Sequence, residues 1–350
     1  MTPYLLLMGA GLAGGPLLKR RPEYRRAFLT ALGAACWLLA SLRYVTGFDY
    51  RSYEKFFQSV AARGLDGSEY EAGFRLLGMA VAGAGGDYRA FLFVFHLLLT
   101  VLVFAWIGRY SSSPWMSAYL FVALQYFALS MNLLRQALAA AVVLWAYPFL
   151  KSRRLLPYCG VVLLAACFHR TALVMLPFYF LLNLRASRLH YGLAAAAAGA
   201  VYLKADALLQ MAAGLLGRYR NYFGGRYWQA NGVSYLLLPL GCLLFALPLL
   251  RREAREPSGS PALANSVFYA SLMQAFITRH FLLERLSIYL AMLSLLALPE
   301  AARTPGGRRS AGVRTGVLTA GAFLYFLFAA REGFHGVYPY HGVWSRAMVP

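Results

Sequence analysis

The sequence predicts an all-α polytopic membrane protein with about 12 transmembrane helices. Three observations carry that reading. Of 350 residues, 60% are hydrophobic and 13% charged, with a mean hydropathy of +0.54; a soluble chain of this length has too little interior for so much apolar surface. Apolar runs recur along the chain at close to the length a helix needs to cross a hydrocarbon core. The net charge of +21 falls largely in short basic connectors between those runs, which is the positive-inside pattern and not a nucleic-acid surface.

Taken in order, the runs are 3–18, 27–42, 90–108, 114–131, 132–150, 155–168, 171–184, 191–207, 233–250, 262–280, 285–299 and 315–330. The first is followed by Lys19-Arg20-Arg21 and preceded by no basic residue, the reverse of a secretory signal, so it counts as a span. Basic connectors at 19–26, 109, 151–154, 185–190, 251–255 and 303–314 are assigned to the cytoplasm, which puts both termini outside. The chain, 1–350, then reads as one integral-membrane domain. It has a long extracytoplasmic loop at 43–89, a second at 208–232 and an extracytoplasmic tail at 331–350. Within the first loop, 53–63 has the pattern of an amphipathic interfacial helix, and 73–83 reads as a short apolar piece or a re-entrant turn. The four cysteines lie in apolar runs without metal-ligand spacing and read as small core residues.

Polar groups that interrupt the apolar pattern are the candidate site. Asn132, Arg135 and Gln136 stand at i, i+3 and i+4 in what reads as the first turn of one helix, on one face. A cation there is costly against lipid, so that face is expected to look toward an anion or a wet cavity. Arg43, Gly47, Asp49, Tyr50 and Tyr53 leave the second run. They read either as an interfacial turn with an Arg43–Asp49 pair or as part of the site, with Gly47 letting the backbone turn. Glu71 follows Tyr70; alone it is a solvated helix start. His169 and Arg170 sit in a connector so short that both are expected near a cavity. Arg218, Arg220 and Tyr222, with Arg226, Tyr227 and Trp228, form a basic–aromatic cluster suited to phosphate or sugar, or to an aromatic belt. Arg285 and Tyr289 share a helical face.

On this topology Arg43, Arg135, Arg170, Arg218, Arg220, Arg279 and Arg285 all lie on the outer side, against the positive-inside bias. A polyanionic ligand in an extracytoplasmic cavity accounts for them. The motifs give no metal-binding pattern, and no cofactor is expected.

The ordered set resembles the EpsG family of exopolysaccharide polymerases, relatives of the Wzy-type polymerases. The matching pieces are Arg43…Gly47-x-Asp49-Tyr50-x-x-Tyr53, Tyr70-Glu71-x-Gly73-Phe74 and Asn132-x-x-Arg135-Gln136-x-x-Ala139. They continue with Phe168-His169-x-Thr171-Ala172 and Pro177, Arg285-x-x-x-Tyr289, and Pro339-Tyr340. Phe48 stands where the family commonly has a small or hydroxyl residue, and Thr171 where it has Ser.

The resemblance implies a Wzy-like, GT-C-like fold in the bacterial inner membrane. It also implies a glycosyl transfer that lengthens an undecaprenyl-diphosphate-linked oligosaccharide, with a chain-length regulator and other polysaccharide-assembly proteins as partners alongside the bilayer. The expected base is Asp49, Glu71 or His169. Arg135 and Arg285 are expected on the diphosphate, Arg218 and Arg220 on sugar or a second diphosphate, and Arg43 beside Asp49 or on phosphate. Tyr50, Tyr222 and Tyr289 are expected as sugar platforms or donors. A lipid-linked glycan ligase or other glycosyltransferase shares the arginine logic, and a flippase or transporter shares the number of spans.

Overall fold

A computed structural model describes residues 1–216, 232–255, 260–278, 281–303 and 307–348 of the chain, and the regular structure in them is helical. Helices α1 (Thr2–Arg20) and α2 (Arg25–Ser41) occupy the first two apolar runs. The segment 43–89 is no plain loop. It holds α3 (Tyr50–Arg63), which buries Tyr50, Tyr53, Phe56, Phe57 and Val60 at helical spacing, and α4 (Ala72–Gly83). Then comes α5 (Tyr88–Tyr110), capped at its start by the Asp87 carboxylate, which accepts from the Ala90 N–H.

The next two runs are broken where the sequence predicts continuous spans. The run 114–131 splits into α6 (Pro114–Ala123) and α7 (Tyr126–Asn132) at Gln125, whose backbone is left-handed at φ 70°. The run 132–150 splits into α8 (Leu134–Leu144) and α9 (Tyr147–Lys151). Asn132 therefore ends one helix while Arg135 and Gln136 open the next, with the non-helical Leu133 between them at φ −103° and ψ 63°. The expectation of one helix carrying all three is corrected here. Non-helical backbone at such depth is tolerated only inside protein, and Gln125 and Leu133 are both buried.

The chain continues through α10 (Leu155–Ala166), a 3₁₀ turn at Arg170–Val174, α11 (Met175–Asn183), α12 (Arg188–Leu203), α13 (Ala205–Leu216), α14 (Leu237–Arg255) and α15 (Ala262–Gln274). It closes with α16 (Phe281–Ala291), α17 (Ser294–Arg303) and α18 (Gly307–Arg331). Among the described residues, three helical stretches are long and apolar enough to cross a membrane: Tyr88–Tyr110, Ser234–Arg252 and Arg309–Arg331. The pair Arg285–Ala291 and Ser294–Arg303, bent by 45°, makes a fourth if it counts as one span. All twelve apolar runs contain helix, but most as shorter or broken pieces.

The core is built around α8, whose Ala137, Ala139, Ala140 and Ala141 are all buried and let neighbouring helices approach closely. Helix α2 packs along α5, and α1 along α6. Two ends follow. At one, Arg25 donates to the Gly108 carbonyl and Arg303 to the Ser112 carbonyl at 2.6 Å, so basic connectors from distant parts of the sequence meet. At the other end the segment after α2 meets the chain's last segment. The Tyr44 N–H donates to His341 O at 2.8 Å, Val343 N–H to Leu42 O at 2.8 Å, and Gly47 N–H to Gly336 O at 2.9 Å.

Candidate active site

Two adjoining groups of polar residues form at this second end. The first is an ion-pair knot. Arg135 Nη1 donates to Glu71 Oε2 at 2.7 Å, and the guanidinium carbon lies 3.7 Å from the centre of the Tyr70 ring. The other Glu71 oxygen contacts His169 Nδ1 at 3.2 Å and accepts from the Arg170 backbone N–H at 3.2 Å. Gly73 makes this meeting possible. Its N–H donates to Cys167 O at 2.8 Å, and a Cβ there would stand 2.8 Å from that same oxygen. Burial pushes the Glu71 carboxyl up, but the His169 hydrogen bond and the Arg135 charge outweigh it and hold the group at about 2. Glu71 is thus held as an anion that anchors Arg135 and His169.

The second group lines a cavity of about 840 Å³. Asp49, Asn132, Arg285, His335 and Gln125 supply polar atoms to its wall, and Phe48, Tyr235, Tyr325 and Phe334 supply rings. The Tyr235 and Phe334 rings are stacked, 5.0 Å apart and 18° from parallel. Asp49 is fixed by its backbone: its N–H donates to Asn132 Oδ1 at 3.0 Å. Gly47 brings it there, since its φ of 101° and the 2.9 Å that a Cβ would leave to Met131 O admit no side chain. Burial raises the Asp49 carboxyl above its usual range, with the Arg285 and Arg135 charges pulling the other way.

Gln136 ties the two groups together by donating from Nε2 to the Arg285 carbonyl. Tyr289 adds a second tie, its hydroxyl 2.8 Å from Thr171 Oγ1. The structure therefore brings Asp49, Glu71, Arg135, His169, Asn132, Gln136, Arg285 and Tyr289 into one region.

Other expectations are corrected. Arg43 does not pair with Asp49. It is 1% exposed, donates from Nη1 to Ala40 O at 2.7 Å, touches His96 Nε2 and lies over the Tyr50 ring at 5.8 Å. Its chain segment, held between α2 and the last segment by backbone hydrogen bonds, carries the guanidinium into the interior. Tyr50, Tyr53 and Tyr289 are buried as well, at 3%, 5% and 0% exposure, and so offer no open ring to a sugar. Tyr53 packs edge-on against Phe74, and Tyr50 against Tyr88. Arg218, Arg220 and Tyr222 lie outside the described residues.

His335 is the residue that sequence reasoning passed over. It lines the cavity in a left-handed backbone conformation, φ 61° and ψ 3°, and its carbonyl accepts from the Phe48 N–H at 3.2 Å. Burial and the Arg285 charge hold the imidazole neutral, at about 4. Its signal was the Gly333-Phe334-His335-Gly336 turn, a polar group between two glycines just after an apolar run.

A family model described as the EpsG family matches residues 26–341. No curated protein and no solved structure matches the chain.

Proposed function

The chain belongs to the EpsG family, which carries a polysaccharide-polymerase type of function in a membrane, and from that premise we propose a specific reaction. The protein lengthens an undecaprenyl-diphosphate-linked oligosaccharide by glycosyl transfer at the outer face of the bacterial inner membrane. The hydroxyl at the non-reducing end of one lipid-linked repeat unit attacks the anomeric carbon of the growing chain. A new glycosidic C–O bond forms, the bond from that carbon to the lipid diphosphate breaks, and the electron pair leaves on the diphosphate. The acceptor's proton passes to Asp49.

The observation that supports this reading is the placement of Asp49 and Arg285 on the wall of one cavity. A donor already activated as a diphosphate needs a base for the acceptor, a cation for the leaving group, and orientation of both. Asp49 supplies the first and Arg285 the second, while Arg135, held by Glu71 and Tyr70, adds positive potential nearby. Asn132 and Gln136 act as positioning residues through Asp49 and the Arg285 backbone. The stacked Tyr235 and Phe334 and the exposed Phe48 take over the sugar-platform role expected of Tyr50 and Tyr289.

The test is a purified-protein assay with lipid-linked repeat units. Polymer of increasing length that disappears in Asp49→Asn is the expected result. Transfer to a different acceptor without lengthening would make the protein a ligase, and translocation without transfer a flippase.

A further inference from the structure

A groove of about 770 Å³ runs between α2 and α5 and shares no lining residue with the cavity just described. Leu29 and Trp37 of α2 and Leu97, Val101 and Phe104 of α5 form its walls. Val101 is 55% exposed, and the Thr100 hydroxyl at its floor is already spent on the His96 carbonyl at 2.6 Å. The groove is lined mainly by apolar side chains over the stretch from Leu97 to Arg109. That is about 18 Å of helix, close to half of a hydrocarbon core roughly 30 Å thick. At one end stand Arg25, Arg26 and Arg109.

On the other side of Arg25 lies a second hollow of about 640 Å³, lined by Lys19 and Arg303 together with Ser113 and Thr315. Five cations therefore share one end of the molecule. Among the described residues none of the five is ion-paired with a carboxylate. Glu23, the acid nearest in sequence, is taken by Arg21 at 3.6 Å. Arg25 and Arg303 each reach a backbone carbonyl, which satisfies a donor but leaves the charge uncompensated.

We infer that this groove is a binding site for an anionic phospholipid, with an acyl chain along α2 and α5 and the phosphate among Arg25, Arg26 and Arg109. The charge pattern selects the occupant. An apolar slot of one-leaflet depth ending in arginines matches a lipid tail joined to an anionic headgroup, and an acidic peptide would leave the slot empty. The inference goes beyond the glycosyl-transfer reading and is independent of it, because it concerns the end opposite Asp49 and its readout is lipid binding.

The test uses the full-length protein released from nanodiscs of phosphatidylglycerol or phosphatidylcholine, with retained lipid counted by native mass spectrometry and thermal stability measured alongside. Wild type is expected to retain and be stabilised by phosphatidylglycerol. The variant Arg26→Gln/Arg109→Gln, both exposed side chains, is expected to lose about 25-fold in affinity, about fivefold per charge. Ala105→Trp, which fills the groove and leaves every arginine in place, is expected to lose the retained lipid as well. Equal retention of phosphatidylcholine, full retention by Ala105→Trp, or equal stabilisation by inorganic phosphate alone would each overturn the proposal.

Discussion

Arg135 Nη1 and Glu71 Oε2 lie 2.7 Å apart, with side chains 23% and 9% exposed, and this bond joins segments 64 residues apart in sequence. A buried ion pair is costly to break from one side, because the orphaned charge stays desolvated. Glu71→Ala is therefore expected to destabilise the protein by about 3–5 kcal/mol. Glu71→Leu/Arg135→Met is expected to recover most of that in thermal unfolding while remaining inactive in polymer synthesis. Recovery of activity along with stability would show that the pair serves the fold alone.

The same pair sets an acid limit. Glu71 titrates at about 2 in the folded protein against an ordinary 4.5. A depressed folded pKa gives stability that is complete above the unfolded value and is lost as pH falls from there through the folded value. The melting temperature of the wild type is expected to drop on acidification between about pH 4.5 and 2. Glu71→Gln is expected to be less stable at neutral pH and to show a smaller drop across that window.

Asp49 behaves in the opposite sense. Burial raises its pKa, so the proton-accepting form is lost on acidification at a higher pH than for an ordinary carboxylate. Rate plotted against pH is expected to show an acid limb belonging to Asp49. Because Arg285 opposes the rise, Arg285→Ala is expected to move that limb to higher pH in whatever activity remains. Asp49→Asn is expected to lower the rate by about 10²–10⁴-fold and to abolish the limb. A limb unchanged in Asp49→Asn would assign the base elsewhere, with His169 the first alternative.

The helical class and the identity of most polar site residues were legible in the sequence, because a charge or amide inside an apolar run stands out whatever the helix around it does. What was not legible was where helices break. Gln125 and Leu133 carry no proline or glycine signal, and their non-helical backbones are held by burial inside the bundle. Hydropathy therefore joined α6 to α7 and ran α8 back through Asn132. Direction was hidden too. Arg43 lies six residues before Asp49 and Tyr50 directly after it, yet both side chains are turned into the core, where the last segment is hydrogen-bonded along 42–48. His335 escaped because its place on the cavity wall depends on that same long-range contact.

His335 offers a test of strain kept for function. A non-glycine residue in left-handed backbone costs about 1–2 kcal/mol, and such outliers persist where a site requires them. His335→Gly is expected to leave the melting temperature unchanged or raised while lowering polymer synthesis, because it removes the imidazole from the cavity wall. Wild-type synthesis by His335→Gly would reduce the ring to a packing element.

The central claim is that a lipid diphosphate docks where Asp49 and Arg285 face one cavity. Its most direct measurement is the affinity of the purified protein for undecaprenyl diphosphate. A charged hydrogen bond to phosphate contributes about 1.5–3 kcal/mol, so Arg285→Ala, still folded by thermal unfolding, is expected to bind about 10- to 150-fold more weakly. Binding by Arg285→Ala within twofold of wild type would contradict the account.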